Sequence, residues 1–230
     1  MKIDIIKSGS AGNLYSVQQG DSALLLEGGA DSRLLILAGH SISDYDAMLI
    51  SHEHGDHAAN VDFFLNWLDV YASAGTIEAL DINHRRLKEI KVNQPLIIKN
   101  AKISSFNVKH DAREPIGFHI RYKDQGVLLY ATDTSYLPYK VKDLRWLMIE
   151  CNYSKEIISN NKDKGLIAEE HFARVIDNHL SLEIVEDFLK KNNLSKLEKI
   201  FLLHISDTNG DKEGFINRIE SITGVPVYSI

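Results

Sequence analysis

Residues 52–57 read His-Glu-His-Gly-Asp-His, directly after an apolar run at 46–51 that reads as a short strand. Ordinary packing does not call for three imidazoles and a carboxylate within six positions. A solvated surface would not require them at the end of a buried strand. His52 and His54 alternate, so on extended or tightly turned backbone they point the same way. Asp56 and His57 come one step later, where the apolar spacing of residues 58–68 predicts a helix. One pair of ligands thus projects from a strand end and another from a helix start. That suits two divalent ions roughly 3.5–4 Å apart in one catalytic pocket.

Three further polar residues stand at the tips of apolar runs. His110 closes a predicted strand at 103–110, Asp133 one at 126–133, and His204 one at 199–204. Strand tips at one edge of a sheet converge on a single site, whereas histidines scattered through a core do not. Strands are expected at 2–7, 14–18, 23–27, 69–73, 95–98, 101–108 and 116–122, with a buried run at 146–150. Helices are expected at 32–40, 83–90, 168–178, 181–192 and 212–223, and a hairpin turn at Gln125-Gly126 after Lys123-Asp124. Strand-rich blocks followed by helices in both halves predict an α/β fold, a four-layer αββα sandwich.

At 230 residues and 44% hydrophobic, the chain can bury a full core. Only four prolines and no linker-like tract predict a single domain over residues 1–230. No apolar stretch approaches the roughly 20 residues of a membrane span, and no leader pattern opens the chain, so no membrane partner is expected. The single cysteine, Cys151, excludes an internal disulfide framework and fits a reducing, cytoplasmic compartment. Its neighbours offer no activating base, so it reads as a buried filler. A net charge of −6 argues against broad electrostatic adhesion to nucleic acid. It leaves room for a local site that bound divalent ions would make positive.

The pattern H-x-H-x-D-H, with the three strand-tip residues after it, resembles the metallo-β-lactamase fold superfamily. The resemblance implies one ion held by His52, His54 and His110 and a second by Asp56, His57 and His204, with Asp133 bridging both. Further segments resemble the YycJ/WalJ-like nucleases, a branch related to RNase Z: Ser8-Gly-Ser-Ala-Gly-Asn13, Tyr71-Ala-Ser-Ala-Gly-Thr76, Lys109-His-Asp-Ala112, Pro115-Ile-Gly-Phe118, Ala131-Thr-Asp-Thr134, Glu150-Cys-Asn152 and His179-Leu-Ser181. That branch implies a metal-dependent phosphodiesterase acting on nucleic acid, a DNA exonuclease using a hydroxide supplied between two ions. Its catalytic set would be Asp56, His179 as general acid and Glu150 as its orienter. Ser181 is also a fitting N-cap for the helix after it. Zinc and manganese both suit such donors.

Two departures stand out. The strand at 23–27 ends in Glu27 where the family has an aspartate, so Glu27 must reach further to support a ligand. Tyr153-Ser154 stands where the family has histidine and aspartate. The alternative function is a small-molecule hydrolase, a cyclic phosphodiesterase or thioesterase, on the same two-ion site. Weaker signals are the 8–13 loop, Ser206 and Asn209 as phosphate contacts, and Tyr136 and Tyr153 as base-stacking rings. Arg113, Lys140, Lys142 and Arg174 are candidate basic contacts to a polymer.

Overall fold

Leu24, Leu25, Leu26, Met48 and Leu49 are all fully buried, the continuous apolar pattern of strands covered on both faces. They belong to the first of two compact units, residues 1–107 with 112–124 and 230; the second is 108–111 with 125–229. The computed structural model describes residues 1–123, 125–137 and 140–230. Gln125, of the hairpin turn expected at Gln125-Gly126, is a turn residue and Gly126 opens β10, while Asp124 before them lies outside the described residues.

The first unit runs β1 (Lys2–Lys7), β2 (Leu14–Gln19), β3 (Ser22–Leu26), α1 (Arg33–Leu37), a 3-10 turn (Ile42–Asp44), β4 (Ala47–Leu49), α2 (Gly55–Ala58), α3 (Val61–Leu65), β5 (Asp69–Ala72), α4 (Ala74–Leu80), β6 (Leu87–Glu89), β7 (Leu96–Ile98), β8 (Ala101–Asn107) and β9 (Ile116–Tyr122). Strands β1 to β6 form one sheet in chain order, antiparallel from β1 to β3 and parallel from β3 to β6. Strands β7, β8 and β9 pair antiparallel in sequence. Leu25, Met48, Ile50, Val61, Phe64 and Val70 share one core that packs helices against the six-stranded sheet.

In the second unit come β10 (Gly126–Ala131), β11 (Leu144–Glu150), α5 (Lys155–Asp163), α6 (Glu169–Asn178), α7 (Leu182–Lys191), β12 (Lys199–Leu203), α8 (Lys212–Thr223) and β13 (Val227–Tyr228). Strands β10 to β13 pair parallel throughout.

Three expectations need correction. Residues 83–90 hold a strand, β6, in place of a helix. The preceding helix is α4, opened by Ser73, whose side chain accepts from Thr76 N, and closed by Asp81 in the left-handed conformation. The helix expected at 58–68 is two short ones. Asn60 interrupts it by donating from its backbone to Gly28 O (2.8 Å) and from Nδ2 to Gly29 O (2.8 Å). Helix α5 was not expected at all. Its sequence is largely polar, and its buried Ile158 packs with Tyr153 and Val175.

Gly29 fixes how the turn after β3 meets the turn after β4. A Cβ at Gly29 would lie 1.8 Å from the Asp56 carbonyl oxygen, so only glycine lets these backbones approach. Gly28 N then donates to His57 O at 2.7 Å, and Asn13 N to Asp56 O at 2.7 Å.

Candidate metal centre

The metal motif begins three residues after β4 ends. Ser51 and His52 are buried, and Ser51 Oγ lies 2.9 Å from His52 Nδ1, which orients the ring. The His52 and His54 rings meet edge to face at 4.7 Å, and the His57 ring lies 4.2 Å from that of His52. His57 Nε2 is 3.4 Å from Asp56 Oδ2. All four motif residues therefore gather past one strand end, His52 and His54 ahead of α2 and Asp56 and His57 within its first turn.

Glu27 and Asn13 hold them there. Glu27 is fully buried at φ 62°, left-handed, immediately after β3. Its Oε2 accepts from Ser51 N at 3.3 Å and lies 3.4 Å from His57 Nδ1. The longer side chain thus makes the supporting contact expected of it. A carboxylate on Nδ1 keeps a proton on that nitrogen and leaves the Nε2 lone pair for a cation.

Asn13 is the residue that sequence reasoning missed. Its Oδ1 accepts from Tyr15 OH (2.8 Å) and Gly9 N (2.9 Å), which leaves Nδ2 to donate to Asp56 O at 3.1 Å, with His57 Nε2, the nitrogen a cation would take, also within 3.1 Å of it. The glycine-rich 8–13 loop serves to seat this amide; only its position before a strand hinted at a role.

The second unit carries the other half of the set. His110, Asp133 and His204 fall one to three residues past the strands expected to end on them, because β8, β10 and β12 stop at Asn107, Ala131 and Leu203. Asp133 and His204 are left-handed, at φ 39° and 53°. Non-glycine residues in that region cost on the order of 1–2 kcal/mol each. Such outliers concentrate at functional sites.

His110 Nδ1 donates to Asn178 O at 3.2 Å. A carbonyl only accepts, so His110 keeps its proton on Nδ1 and offers Nε2, which lies 3.8 Å from Asp133 Oδ2. Burial lowers its pKa, with Asp133 opposing, and so favours the neutral form a metal ligand needs. His204 Nδ1 is 3.8 Å from Asp133 Oδ1, and Asn152 Nδ2 holds the residue through its carbonyl at 2.8 Å.

Beside them, His179 Nδ1 and Glu150 Oε1 make a 2.6 Å contact. The His179 ring stacks on that of His204 at 5.5 Å and lies 5.7 Å from that of His110. Burial would lower the His179 pKa, but the Glu150 charge and hydrogen bond outweigh it and the pKa is raised. Burial would likewise raise that of Glu150, yet His179 carries it below the usual carboxylate value. Both directions describe one buried ion pair.

Donor atoms of Asp133, Glu150, His179 and His204 all lie within 4.8 Å of one another. Glu150 is nonetheless committed elsewhere. Its Oε2 accepts from Thr134 N (3.2 Å) and Leu180 N (3.0 Å) while Oε1 holds His179. It orients an imidazole; Asp133 and His204 are the donors left for an ion. Imidazole with carboxylate is a donor set suited to first-row divalent metals.

Several weaker expectations find other roles. Tyr153 is buried, with its pKa raised to about 12 first by burial, and is no stacking platform. Ser206 and Asn209 build a turn, Ser206 Oγ accepting from Asn209 N at 3.1 Å. Ser181 caps α7 through Ile184 N. Arg113 pairs with Glu78 at 2.6 Å and Arg174 with Asp111 at 3.4 Å, so neither is an uncompensated cation. Cys151 is buried with its thiol pKa pushed up, in keeping with a filler.

Histidines and carboxylates gathered at strand ends of an α/β scaffold define a metal-dependent hydrolase. Over residues 26–178 the chain matches the family described as Beta-lactamase superfamily domain, and it belongs to that family. It is 30% identical to exodeoxyribonuclease WalJ of Streptococcus pneumoniae, over 92% of this chain and 84% of that one. Its identity to exodeoxyribonuclease YycJ of Bacillus anthracis is 25%, over 93% and 85%. The crystal structure of the metallo-beta-lactamase fold protein YhfI from Bacillus subtilis is 18% identical and superposes with a TM-score of 0.75, covering 99% of this chain and 95% of that one. The fold is thus the αββα metallo-β-lactamase fold.

Glu27→Gln retains the shape of the side chain but removes the charge facing His57. Metal affinity is expected to fall roughly 10–100-fold, the range for losing a carboxylate behind a histidine ligand. Competition against a chromophoric chelator reads it, and unchanged affinity would show that Glu27 only fills space.

Proposed function

We propose that residues 1–230 act as one metallo-β-lactamase-like domain with a two-ion centre. His52, His54 and His110 hold one ion; Asp56, His57 and His204 hold the other; Asp133 bridges them. Zinc and manganese are the ions proposed. When bound, they supply the Lewis acidity that neutralises phosphoryl oxygens and activates water. The reaction is phosphodiester hydrolysis on nucleic acid, and the substrate is DNA digested from an end. Support comes from the exodeoxyribonuclease names of the two relatives, each matching more than nine-tenths of the chain.

The observation that carries the reading is the 2.6 Å contact of His179 with Glu150 beside Asp133 and His204. An alkoxide leaving group needs a proton, which thiolates do not. Glu150, pinned by two backbone N–H groups, keeps a proton on His179 Nδ1. His179 therefore gives up the proton on Nε2 to the departing oxygen and remains neutral with Nδ1 protonated. Thr134 N and Leu180 N stop the carboxylate from rotating away, so the imidazole is presented in one orientation. A buried lone thiol at Cys151 fits a cytoplasmic setting, and no helix among the described residues is long and apolar enough to cross a membrane.

His179→Ala is expected to leave metal content unchanged and to slow phosphodiester cleavage by roughly 10²–10⁴-fold. With a nitrophenolate leaving group, which needs no proton, the loss should be far smaller. Equal losses on both substrates would make His179 a positioning residue.

Digestion from an end is checked with a covalently closed single-stranded DNA circle and its linear form. The linear form should disappear and the circle persist. Equal degradation of the two would remove the exonuclease claim and keep the phosphodiesterase.

A further inference from the structure

Away from the histidines, the first unit has an open depression of about 430 Å³ at the N-terminal ends of its parallel strands. Asp46 precedes β4, Asp69 opens β5, and Arg85 and Arg86 precede β6. The metal motif follows the opposite end of β4. Trp67 lines the depression with 61% of its surface in solvent. An exposed indole offers a flat apolar face on which a base can stack.

The charges here are unequal. Asp69 is taken by Lys88 at 2.5 Å, and Asp46 by Lys99 at 2.6 Å and by Ala23 N at 2.9 Å. Neither Arg85 nor Arg86 pairs with a carboxylate among the described residues, so two guanidinium charges remain uncompensated. Arg86 is also held in place. Its carbonyl accepts from Val70 N at 2.8 Å, and its Nη1 donates to Asn66 O at 3.1 Å, next to Trp67 in the chain. An indole face beside two fixed or exposed guanidinium groups is a stacking platform with phosphate contacts.

We infer that this depression is a second nucleic-acid site, which stacks an unpaired base on Trp67 and pairs the adjoining phosphates with Arg85 and Arg86. The choice of nucleic acid as occupant rests on the nuclease reading above. The site holds the single-stranded part of the substrate that the metal centre is not cutting. Asp46 and His52 are six residues apart, roughly 20 Å at most along extended chain. At about 3.4 Å per phosphate of one strand, that is on the order of six nucleotides. A strand of that length or more is long enough for both places, so the second site is expected to engage a 20-nucleotide strand and not to matter for a tetranucleotide.

The test uses full-length, metal-loaded protein and a labelled 12-nucleotide single-stranded DNA with phosphorothioate linkages, which resist cleavage. Trp146, the second of the chain's two tryptophans, is buried, so quenching reports on Trp67. The oligonucleotide should quench the indole. Trp67→Ala should weaken binding roughly five- to a hundredfold. Arg85→Ala/Arg86→Ala should lower the slope of log affinity against log salt by about 1.4, two contacts at about 0.7 each. Because Arg86 also braces the Asn66 carbonyl, Arg85→Ala alone is the second variant, with an expected change of about 0.7. All three variants should cleave a tetranucleotide at the parental rate and a 20-nucleotide strand more slowly.

Parental binding and unchanged 20-nucleotide cleavage in the variants would overturn the site. So would polyglutamate binding as tightly as the DNA and losing as much with Trp67→Ala, since that would mark an acidic-protein surface. If the parent cleaves no nucleic acid yet the variants lose binding, the nuclease reading fails and this site stands. If the parent cleaves and the variants match it, only this site fails.

Discussion

Each half of the molecule contains a carboxylate with no access to solvent, Glu27 in the first and Glu150 in the second. Such a charge is tolerated only where hydrogen bonds and an opposite or polar partner replace the water it has lost. Glu27 has Ser51 N and His57, and Glu150 has Thr134 N, Leu180 N and His179. Removing one partner of a buried charge pair typically costs about 3–5 kcal/mol. The local backbone is therefore obliged to bring these histidines to their carboxylates. The strand ends, the left-handed residues and the glycine turn at 28–29 are arranged around that requirement.

The two pairs have different tasks. At Glu27 the imidazole is a proposed ion ligand, and the carboxylate sets which of its nitrogens is left to bind. At Glu150 the carboxylate sets which nitrogen of His179 keeps its proton, the arrangement that the proposed acid role requires. Asn13 and Asn178 do similar work with neutral groups, seating Asp56 and His110. An acidic chain of net charge −6 can still handle a polyanion through such a site, because each ion bound adds two positive charges.

Much of this was legible in the chain because metal ligands must be particular residue types at strand ends. The 52–57 motif, His110, Asp133 and His204 all stand out against apolar runs, and Glu27 was marked by its departure from the family aspartate. Asn13 was not, since an asparagine in a glycine-rich loop has many ordinary uses. Residues 83–90 misled because Leu87 and Ile90 suit a helix, whereas their actual role is fixed by the backbone edge that β5 presents. Helix α5 carries so few apolar positions that its packing onto Tyr153 could be known only from the fold. Tyr153 itself shows the limit of reading a lone aromatic without its neighbours.

The central claim is that two ions share one centre bridged by Asp133. Elemental analysis of protein prepared without chelator and then saturated with zinc or manganese tests it most directly, with Asp133→Ala measured alongside. The account predicts two ions per chain in the parent, since seven donors exceed what one ion of four to six coordination can use. It predicts weakened binding of both ions in Asp133→Ala. A parent that saturates at one ion, or an Asp133→Ala protein that binds two as tightly as the parent, would contradict it.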